Sequence, residues 1–150
     1  MTRVMFVCHG NICRSTMAEF VLKHMVAERG CADDFLIVSA ATSREEIGSD
    51  THPGTRRKLQ SVGIETPPRR AVQLTAADYE KYDHFFGMDS ANVVNMRRIL
   101  GGDPAEKIRR LLDLTGQPGD IADPWYTGNF DDTYRDVMAG CKAFFCSLHK

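Results

Sequence analysis

The chain has 150 residues and almost balanced charge, with 19 Lys and Arg against 20 Asp and Glu. A hydrophobic fraction of 43% and a charged fraction of 26% are typical of a globular protein and exclude a disordered or fibrous chain. Because nucleic acids and anionic membranes bind basic surfaces, the net charge of −1 argues against both as partners. We therefore expect one domain over residues 1–150 that binds neither nucleic acid nor membrane.

Predicted strands and helices alternate along the chain. After the first strand, Thr16 and Glu19 have the spacing of a capping box, with Ser15 as an alternative N-cap. The expected strands are residues 3–7, 35–38, 84–88 and 108–114. The expected helices are a first one ending at Gly30, short ones at 55–62 and 75–82, one capped by Asp89 or Ser90 that runs through Leu100, and a last one from Phe130 to Leu148.

This alternation predicts an α/β fold. We expect a single three-layer domain in which a central, mostly four-stranded parallel sheet is flanked by helices on both faces. Ligands of such sheets bind at the carboxyl ends of the strands, and the first strand ends at Cys8. Basic clusters at 56–58, 69–70, 97–98 and 109–110 are spread along the chain, so we interpret them as solvated surface.

The N-terminal residues do not resemble a targeting segment. The apolar stretch at 4–7 is only as long as a strand, whereas a signal peptide needs a longer apolar region and a cleavage site. No apolar run approaches the length of a membrane-spanning helix. We therefore expect a cytoplasmic protein whose five cysteines stay free thiols and form no disulfide framework.

The most informative segment joins the first strand to the first helix and reads Val7-Cys8-His9-Gly10-Asn11-Ile12-Cys13-Arg14-Ser15. The backbone N–H groups of such a loop can converge on one point and form an anion site with the helix N-terminus. Arg14 adds a planar fork of donors that matches two phosphate oxygens. Cys8 is expected at the floor, where these donors and the Ser15 hydroxyl favour its thiolate. The residues predict a phosphate-binding loop that contains a nucleophile.

The pattern is not that of a nucleotide-binding loop, because G-x-x-x-x-G-K-[ST] is absent. A cysteine and an arginine with five residues between them are a weak pattern alone, since Cys8 could be a small buried residue after a strand. Gly10 and Asn11 strengthen it, because both tolerate the backbone angles of a loop that curls around a ligand.

Two segments together carry a specific resemblance. The loop, with Met17-Ala18-Glu19 after it, and Asp123-Pro124-Trp125-Tyr126 resemble the low-molecular-weight protein tyrosine phosphatases. The similarity spans nearly the whole chain and includes the stretches at 39–42, 46–48, 70–75 and 88–89. It implies hydrolysis of phosphotyrosine in proteins and of small aryl phosphates, with no metal or organic cofactor. It also implies phosphotyrosine-containing proteins as partners and inorganic phosphate as product and inhibitor.

The resemblance further implies a two-step mechanism. Cys8 attacks phosphorus, Asp123 protonates the leaving tyrosine oxygen, and Arg14 holds the phosphate oxygens. Water, helped by Asp123 as base, then hydrolyses the cysteinyl-phosphate. Trp125 and Tyr126 are expected to line one wall of the pocket. The other residues expected at the substrate are His9, Gly10, Asn11, Ile12, Cys13, Ser15 and Glu45, of which Asn11 is expected chiefly to brace the loop.

The sequence departs from the family pattern at the second wall of the pocket. Many members carry an aromatic residue just before the Glu-Ile-Gly element, where this chain has Glu45. We expect a weaker grip on the tyrosine ring, or a preference for basic flanking residues. His9 occupies a variable position and either adds positive charge beside the thiolate or is simply exposed. Ile12 stands where a phosphoarginine-selective branch has Thr, which favours phosphotyrosine here.

Three of the remaining cysteines have expected places. In this family the pair matching Cys8 and Cys13 forms a reversible disulfide that protects the nucleophile, and the resemblance implies the same pair here. Cys141 lies in the apolar stripe of the last helix and is expected in the core. Cys146 falls away from that stripe.

Other functions remain as alternatives. A thioredoxin-linked arsenate reductase needs two further cysteines after the third strand, and residues 87–100 contain none. A protein arginine phosphatase and a non-catalytic module that binds phosphate or phosphotyrosine are the others.

Overall fold

The structure, a computed structural model, describes residues 1–149. Four parallel strands form one sheet in the order β2-β1-β3-β4. The strands are β1 (Thr2–Cys8), β2 (Phe35–Ala41), β3 (His84–Gly87) and β4 (Ile108–Arg110). The helices are α1 (Arg14–Glu28), α2 (Pro53–Ser61), α3 (Ser90–Leu100), α4 (Pro124–Thr127) and α5 (Phe130–Ser147). The predicted parallel α/β architecture is confirmed.

Strand β1 is buried on both faces, as expected for the centre of a parallel sheet. Val4 and Phe6 face one core, to which α1 and α5 contribute. Met5 and Val7 face the other core, to which α3 contributes. Because side chains alternate along a strand, the two cores lie on opposite faces of the sheet, and helices cover both. None of the helices in residues 1–149 combines the length and apolar character needed to cross a membrane.

Helix α1 begins differently from the prediction. It starts at Arg14, its N-cap is Cys13, and the expected capping box is absent. Thr16 lies inside the helix and its hydroxyl donates to the carbonyl of Cys13 at 3.0 Å. The Glu19 carboxylate accepts from the Ser39 hydroxyl. The prediction was wrong because the loop fixes the first turn of the helix through tertiary contacts, which propensity does not describe.

The predicted strand at 108–114 is too long. Strand β4 ends at Arg110, and Leu111–Leu114 form a 3₁₀ turn. The Asp113 carboxylate accepts from the backbone N–H of Arg110 at 3.2 Å and from its Nε at 2.9 Å. An aspartate that accepts from the backbone N–H three residues before it offers the backbone an alternative to the sheet and ends the strand.

Three further elements differ in extent, in type or in presence from the prediction, and other boundaries shift by one or two residues. Strand β2 continues to Ala41, which pairs with Cys8. The helix predicted at 75–82 is a 3₁₀ turn at Ala76–Glu80. Helix α4 was not predicted, and Asp123 is its N-cap. The apolar stripe of α5 is confirmed, with Cys141 fully buried and Cys146 exposed.

Candidate active site

A cavity lies beside the carboxyl end of β1, where three segments meet. They are the loop between β1 and α1, the loop that follows β2, and the segment that leads into α4. The residues that line the cavity are Cys8, His9, Gly10, Ile12, Cys13, Arg14, Glu45, Glu46, Asp123, Trp125 and Tyr126. The three residues predicted as catalytic thus lie around one cavity, although Asp123 is more than a hundred residues from the loop in sequence.

The β1–α1 loop is held from behind by Asn11. Asn11 has a positive φ of 59°, a backbone conformation that asparagine tolerates better than most residues, and it is fully buried. Its side chain donates to the hydroxyls of Ser15 and Ser39, each at 2.9 Å. Asn11 and Ser15 were predicted among the substrate contacts, but their side chains lie behind the loop and do not line the cavity. The expectation that Asn11 braces the loop agrees with these contacts.

The Cys8 sulfur lies at the end of β1 and is almost fully buried. The hydroxyl oxygen of Ser15 is 3.0 Å from it. This is the contact expected from the sequence, and it gives the sulfur a neighbour that can donate a hydrogen bond.

Arg14 is buried at the first residue of α1 and meets two carboxylates. Its Nη1 donates to Asp89 at 2.7 Å and to the carbonyl of Ile121 at 2.9 Å, and its Nη2 donates to Asp123 at 3.4 Å. Burial opposes the charge of the guanidinium, but the negative charges of Cys8 and of the two carboxylates outweigh it, and the pKa of Arg14 is raised. Arg14 is therefore a fixed cation.

The Arg14 Nε is also buried, and it donates to no atom of residues 1–149. A buried donor without an acceptor is costly, so this atom of a cavity-lining residue needs an explanation. An anion in the cavity would supply an acceptor.

Asp123 combines two tasks. Its Oδ1 accepts from the backbone N–H of Trp125 at 3.0 Å and so caps α4, while its Oδ2 contacts Arg14. The cap holds the carboxyl group at the rim of the cavity.

Asp89 also has two roles: Oδ1 accepts from the N–H of Asn92 at 2.7 Å, and Oδ2 binds Arg14. The sequence predicted Asp89 or Ser90 as the cap of this helix; Asp89 is the cap, and it also binds Arg14.

The two walls of the cavity differ in chemistry. Trp125 and Tyr126 form an aromatic wall and are exposed by 57% and 84%, which excludes a role in core packing. On the opposite side, the Glu45 carboxylate lies 3.0 Å from the His9 Nε2. The charge that replaces an aromatic residue in this wall is thus paired with a neighbouring imidazole.

The aromatic wall rests on His52, which sequence reasoning missed. The His52 ring meets Trp125 edge-on at 5.7 Å and stacks on Phe130 at 5.4 Å. Its Nδ1 accepts from the backbone N–H of Gly54 at 2.9 Å. Burial, aided by the charge of Arg57, lowers the pKa of His52, which favours the neutral ring. In the sequence it lies in a polar stretch before the helix predicted at 55–62, and no motif distinguished it.

Cys13 lines the cavity and is buried. Burial raises the pKa of Cys13 to about 12, and the negative charges of Cys8 and Asp123 act in the same direction. All five cysteines are free thiols in the structure of residues 1–149.

Known proteins resemble both the sequence and the fold. A family model described as Low molecular weight phosphotyrosine protein phosphatase matches residues 3–150. The low molecular weight protein-tyrosine-phosphatase YfkJ of Bacillus subtilis is 34% identical over 152 residues, covering 100% of this chain and 97% of that protein. The crystal structure of YfkJ matches with a TM-score of 0.95 over 99% of this chain and 95% of that one.

A second solved structure agrees. The crystal structure of SP-PTP, a low molecular weight protein tyrosine phosphatase from Streptococcus pyogenes, is 38% identical and matches with a TM-score of 0.89. The match covers 99% of this chain and 93% of that one.

The fold and the relatives define a protein-tyrosine-phosphatase. The chain belongs to the low molecular weight phosphotyrosine protein phosphatase family and is an enzyme that acts on phosphotyrosine in proteins. The family expected from the two sequence segments is confirmed. The two relatives above are tyrosine phosphatases, which does not favour an arsenate reductase, an arginine phosphatase or a non-catalytic binding module. The crystal structure of DARP, a Drosophila arginine phosphatase, also shares the fold, with 26% identity and a TM-score of 0.89 over 100% of this chain and 99% of that one.

Proposed function

We propose that Cys8, Arg14 and Asp123 carry out phosphotyrosine hydrolysis through a cysteinyl-phosphate. The observation that carries the proposal is their convergence on one cavity, with Cys8 and Arg14 on one loop and Asp123 at the rim. Arg14 contacts Asp123 directly at 3.4 Å, so the phosphate-binding cation and the acid lie within one substrate's reach.

In the first step the Cys8 sulfur forms a bond to phosphorus as the bond from phosphorus to the tyrosine oxygen breaks. The proton of the Asp123 carboxyl passes to that oxygen, so tyrosine leaves as a neutral phenol. In the second step Asp123 takes a proton from water, the water oxygen bonds to phosphorus, and Cys8 leaves as thiolate. Inorganic phosphate is released and, as a ligand of the same loop, acts as an inhibitor.

Arg14 serves as the phosphate ligand. Asp89 and the Ile121 carbonyl engage its Nη1, which fixes the plane of the guanidinium. The unpartnered Nε then has a phosphate oxygen as its acceptor, and a preoriented donor of this kind stabilises charge in the transition state without rearrangement. The loop residues His9, Gly10, Ile12 and Cys13 surround the same oxygens.

The substrates are proteins with phosphotyrosine, held between the two walls. Trp125 and Tyr126 cover one face of the tyrosine ring. On the other side the paired Glu45 and His9 offer less apolar contact than an aromatic residue would, so the ring is held less tightly. The carboxylate is 71% exposed, and it favours peptides with a basic residue beside the phosphotyrosine.

The same proposal includes regulation by oxidation. A sulfenic acid on Cys8 condenses with the Cys13 thiol to form a disulfide and release water, and thiols reverse the reaction. Because Cys13 is in its neutral thiol form at physiological pH, the condensation is slower than with an ordinary exposed thiol. We place this chemistry in the cytoplasm, in one domain over residues 1–150, where thiols are kept reduced.

Turnover of para-nitrophenyl phosphate without added metal tests the proposal. Cys8→Ser should abolish turnover, whereas Cys146→Ser, at an exposed cysteine outside the cavity, should leave it unchanged. Asp123→Ala should slow the release of phenols of high pKa far more than that of phenols of low pKa. Intact turnover in Cys8→Ser would contradict the proposed nucleophile, and equal losses for all leaving groups would contradict the proposed acid.

A further inference from the structure

Arg69 lies directly behind the phosphate loop, and the mechanism above does not use it. Its Nη1 donates to the backbone carbonyl of Asn11 at 2.7 Å, and its Nη2 donates to the side-chain oxygen Oδ1 of the same residue. The sequence interpretation of the 69–70 pair as solvated surface is wrong for Arg69, which is half-buried, and right for Arg70, which is exposed. The two neighbours therefore form a natural comparison.

The contacts of Arg69 fix the direction in which the Asn11 amide faces. A guanidinium and a backbone N–H can only donate, and the N–H of Val72 also donates to Asn11 Oδ1, at 3.2 Å. The oxygen of the amide must therefore face Arg69 and Val72. Its nitrogen, Nδ2, then faces the hydroxyls of Ser15 and Ser39 and donates to both.

A buried carboxylate holds the far end of this network. The Ser39 hydroxyl accepts a hydrogen bond from Asn11 and donates one to the Glu19 carboxylate, which can only accept. Lys23 donates to the other oxygen of Glu19 at 2.6 Å. The Asn11 amide thus lies between a fixed cation, Arg69, on one side and a fixed anion on the other, and both enforce the same orientation.

The orientation decides what Ser15 does to the nucleophile. The Ser15 oxygen accepts from Asn11 Nδ2, so the Ser15 proton is free to point at the Cys8 sulfur, 3.0 Å away. If the amide were reversed, its oxygen would face Ser15 and take that proton. The sulfur would then lose a donor that stabilises its thiolate form.

We propose that Arg69 is a positioning residue that keeps Cys8 in its reactive form by holding the Asn11 amide so that Ser15 donates to the sulfur. The inference rests on the proposed role of Cys8 as nucleophile. Arginine suits this place because its fork reaches two oxygens of one residue and keeps its charge when buried. Burial lowers the pKa of Arg69, while the negative charge of Glu19 opposes that change.

The test is the pH dependence of Cys8 alkylation by iodoacetamide, followed by mass spectrometry of the peptide that contains it. Arg69→Gln should raise the pH midpoint of alkylation by up to about one unit, because the Asn11 amide loses the charged half of its support and the donor to the thiolate is lost in part of the population. Arg69→Lys, which keeps the charge but not the fork, should give an intermediate shift. Arg70→Gln removes the same charge from the exposed neighbour and should leave the midpoint unchanged.

A second comparison shows whether Arg69 acts through Ser15. In a Ser15→Ala background, Arg69→Gln should produce no further shift. A full additional shift there, or equal shifts from Arg69→Gln and Arg70→Gln, would overturn the proposal in favour of a simple charge effect. If circular dichroism shows that Arg69→Gln does not fold, the alkylation midpoint of Arg69→Lys becomes the test. A raised midpoint in that variant supports the proposal, and an unchanged midpoint contradicts it.

This readout is independent of turnover. Reduced turnover in Arg69→Gln with an unmoved alkylation midpoint would overturn the role of Arg69 but leave Cys8 as nucleophile. Full turnover in Cys8→Ser would instead remove the proposed function itself.

Discussion

Substitution of Gly54 by alanine should disturb the aromatic wall of the active site without touching a proposed catalytic residue. Gly54 lies in the first turn of α2, and a Cβ there would stand 2.3 Å from the ring of Phe130. Ordinary contact begins at 3.4 Å. The ring must therefore retreat by about 1 Å. Because Phe130 stacks on His52, and His52 meets Trp125, the displacement reaches the wall that holds the tyrosine ring.

The size of the effect follows from these contacts. Overpacking costs about 1–3 kcal/mol, and the better helix propensity of alanine offsets about 1 kcal/mol of it. Aromatic contacts of the kind lost are worth about 0.5–1.5 kcal/mol. We therefore expect the KM for a phosphotyrosine peptide to rise about two- to tenfold in Gly54→Ala, with kcat changed less than twofold.

Gly140→Ala is the matched control. A Cβ at Gly140 would lie 2.4 Å from Leu111 Cγ, a similar clash, but in the core where α5 packs on the 3₁₀ turn after β4, and outside the cavity. It should lower the free energy of unfolding in urea while KM stays unchanged. Trp125 is the only tryptophan in the chain, so its fluorescence should change in Gly54→Ala alone. If both variants raise KM equally, or if the fluorescence is the same in both, the reasoning is refuted.

Three further outcomes follow from the site. The rate of Cys13 alkylation should keep rising about tenfold per pH unit up to pH 10, because the pKa of Cys13 is raised to about 12. A plateau of the rate near pH 9, with the native fold shown by circular dichroism, would contradict this. Glu45→Gln should reduce the preference for phosphotyrosine peptides with a flanking arginine by up to about fivefold, which corresponds to the free energy of an exposed ion pair. Para-nitrophenyl phosphate, which has no flanking residue, is the reference substrate, and an unchanged preference would contradict the charge argument. Asp89→Asn should lower the free energy of unfolding by about 1.5–3 kcal/mol, because buried Arg14 loses its charged acceptor while α3 keeps a capping side chain. Urea unfolding measures this loss, and an unchanged free energy of unfolding would show that the ion pair contributes little.

Local sequence patterns were enough to predict the sheet and the phosphate loop. Strand β1 is apolar at every position from Val4 to Val7, and the loop after it contains glycine, asparagine, cysteine and arginine in one short stretch. These signals lie within about ten residues of one another, so periodicity and turn chemistry describe them. The convergence of Asp123 on the loop came from the resemblance to a known family.

The supports of the site depend on contacts between distant segments, and the sequence did not predict them. Arg69 meets Asn11 across 58 positions, and its neighbour Arg70 looks identical in sequence but is exposed. His52 supports Trp125 through ring contacts that no spacing rule describes. The start of α1 was misplaced for the same reason, because Thr16 bonds backward into the loop. Buried polar networks of this kind are specified by tertiary structure and not by propensity.

The most direct test of the account is the position of the phosphate on the enzyme during turnover. The enzyme is mixed with para-nitrophenyl phosphate, quenched in acid within one turnover, digested and analysed by mass spectrometry, with Asp123→Ala used to slow hydrolysis of the intermediate. We expect phosphate on the Cys8 sulfur, at a level that matches the burst of para-nitrophenol. A burst without phosphate on Cys8, or phosphate on another side chain, would contradict it.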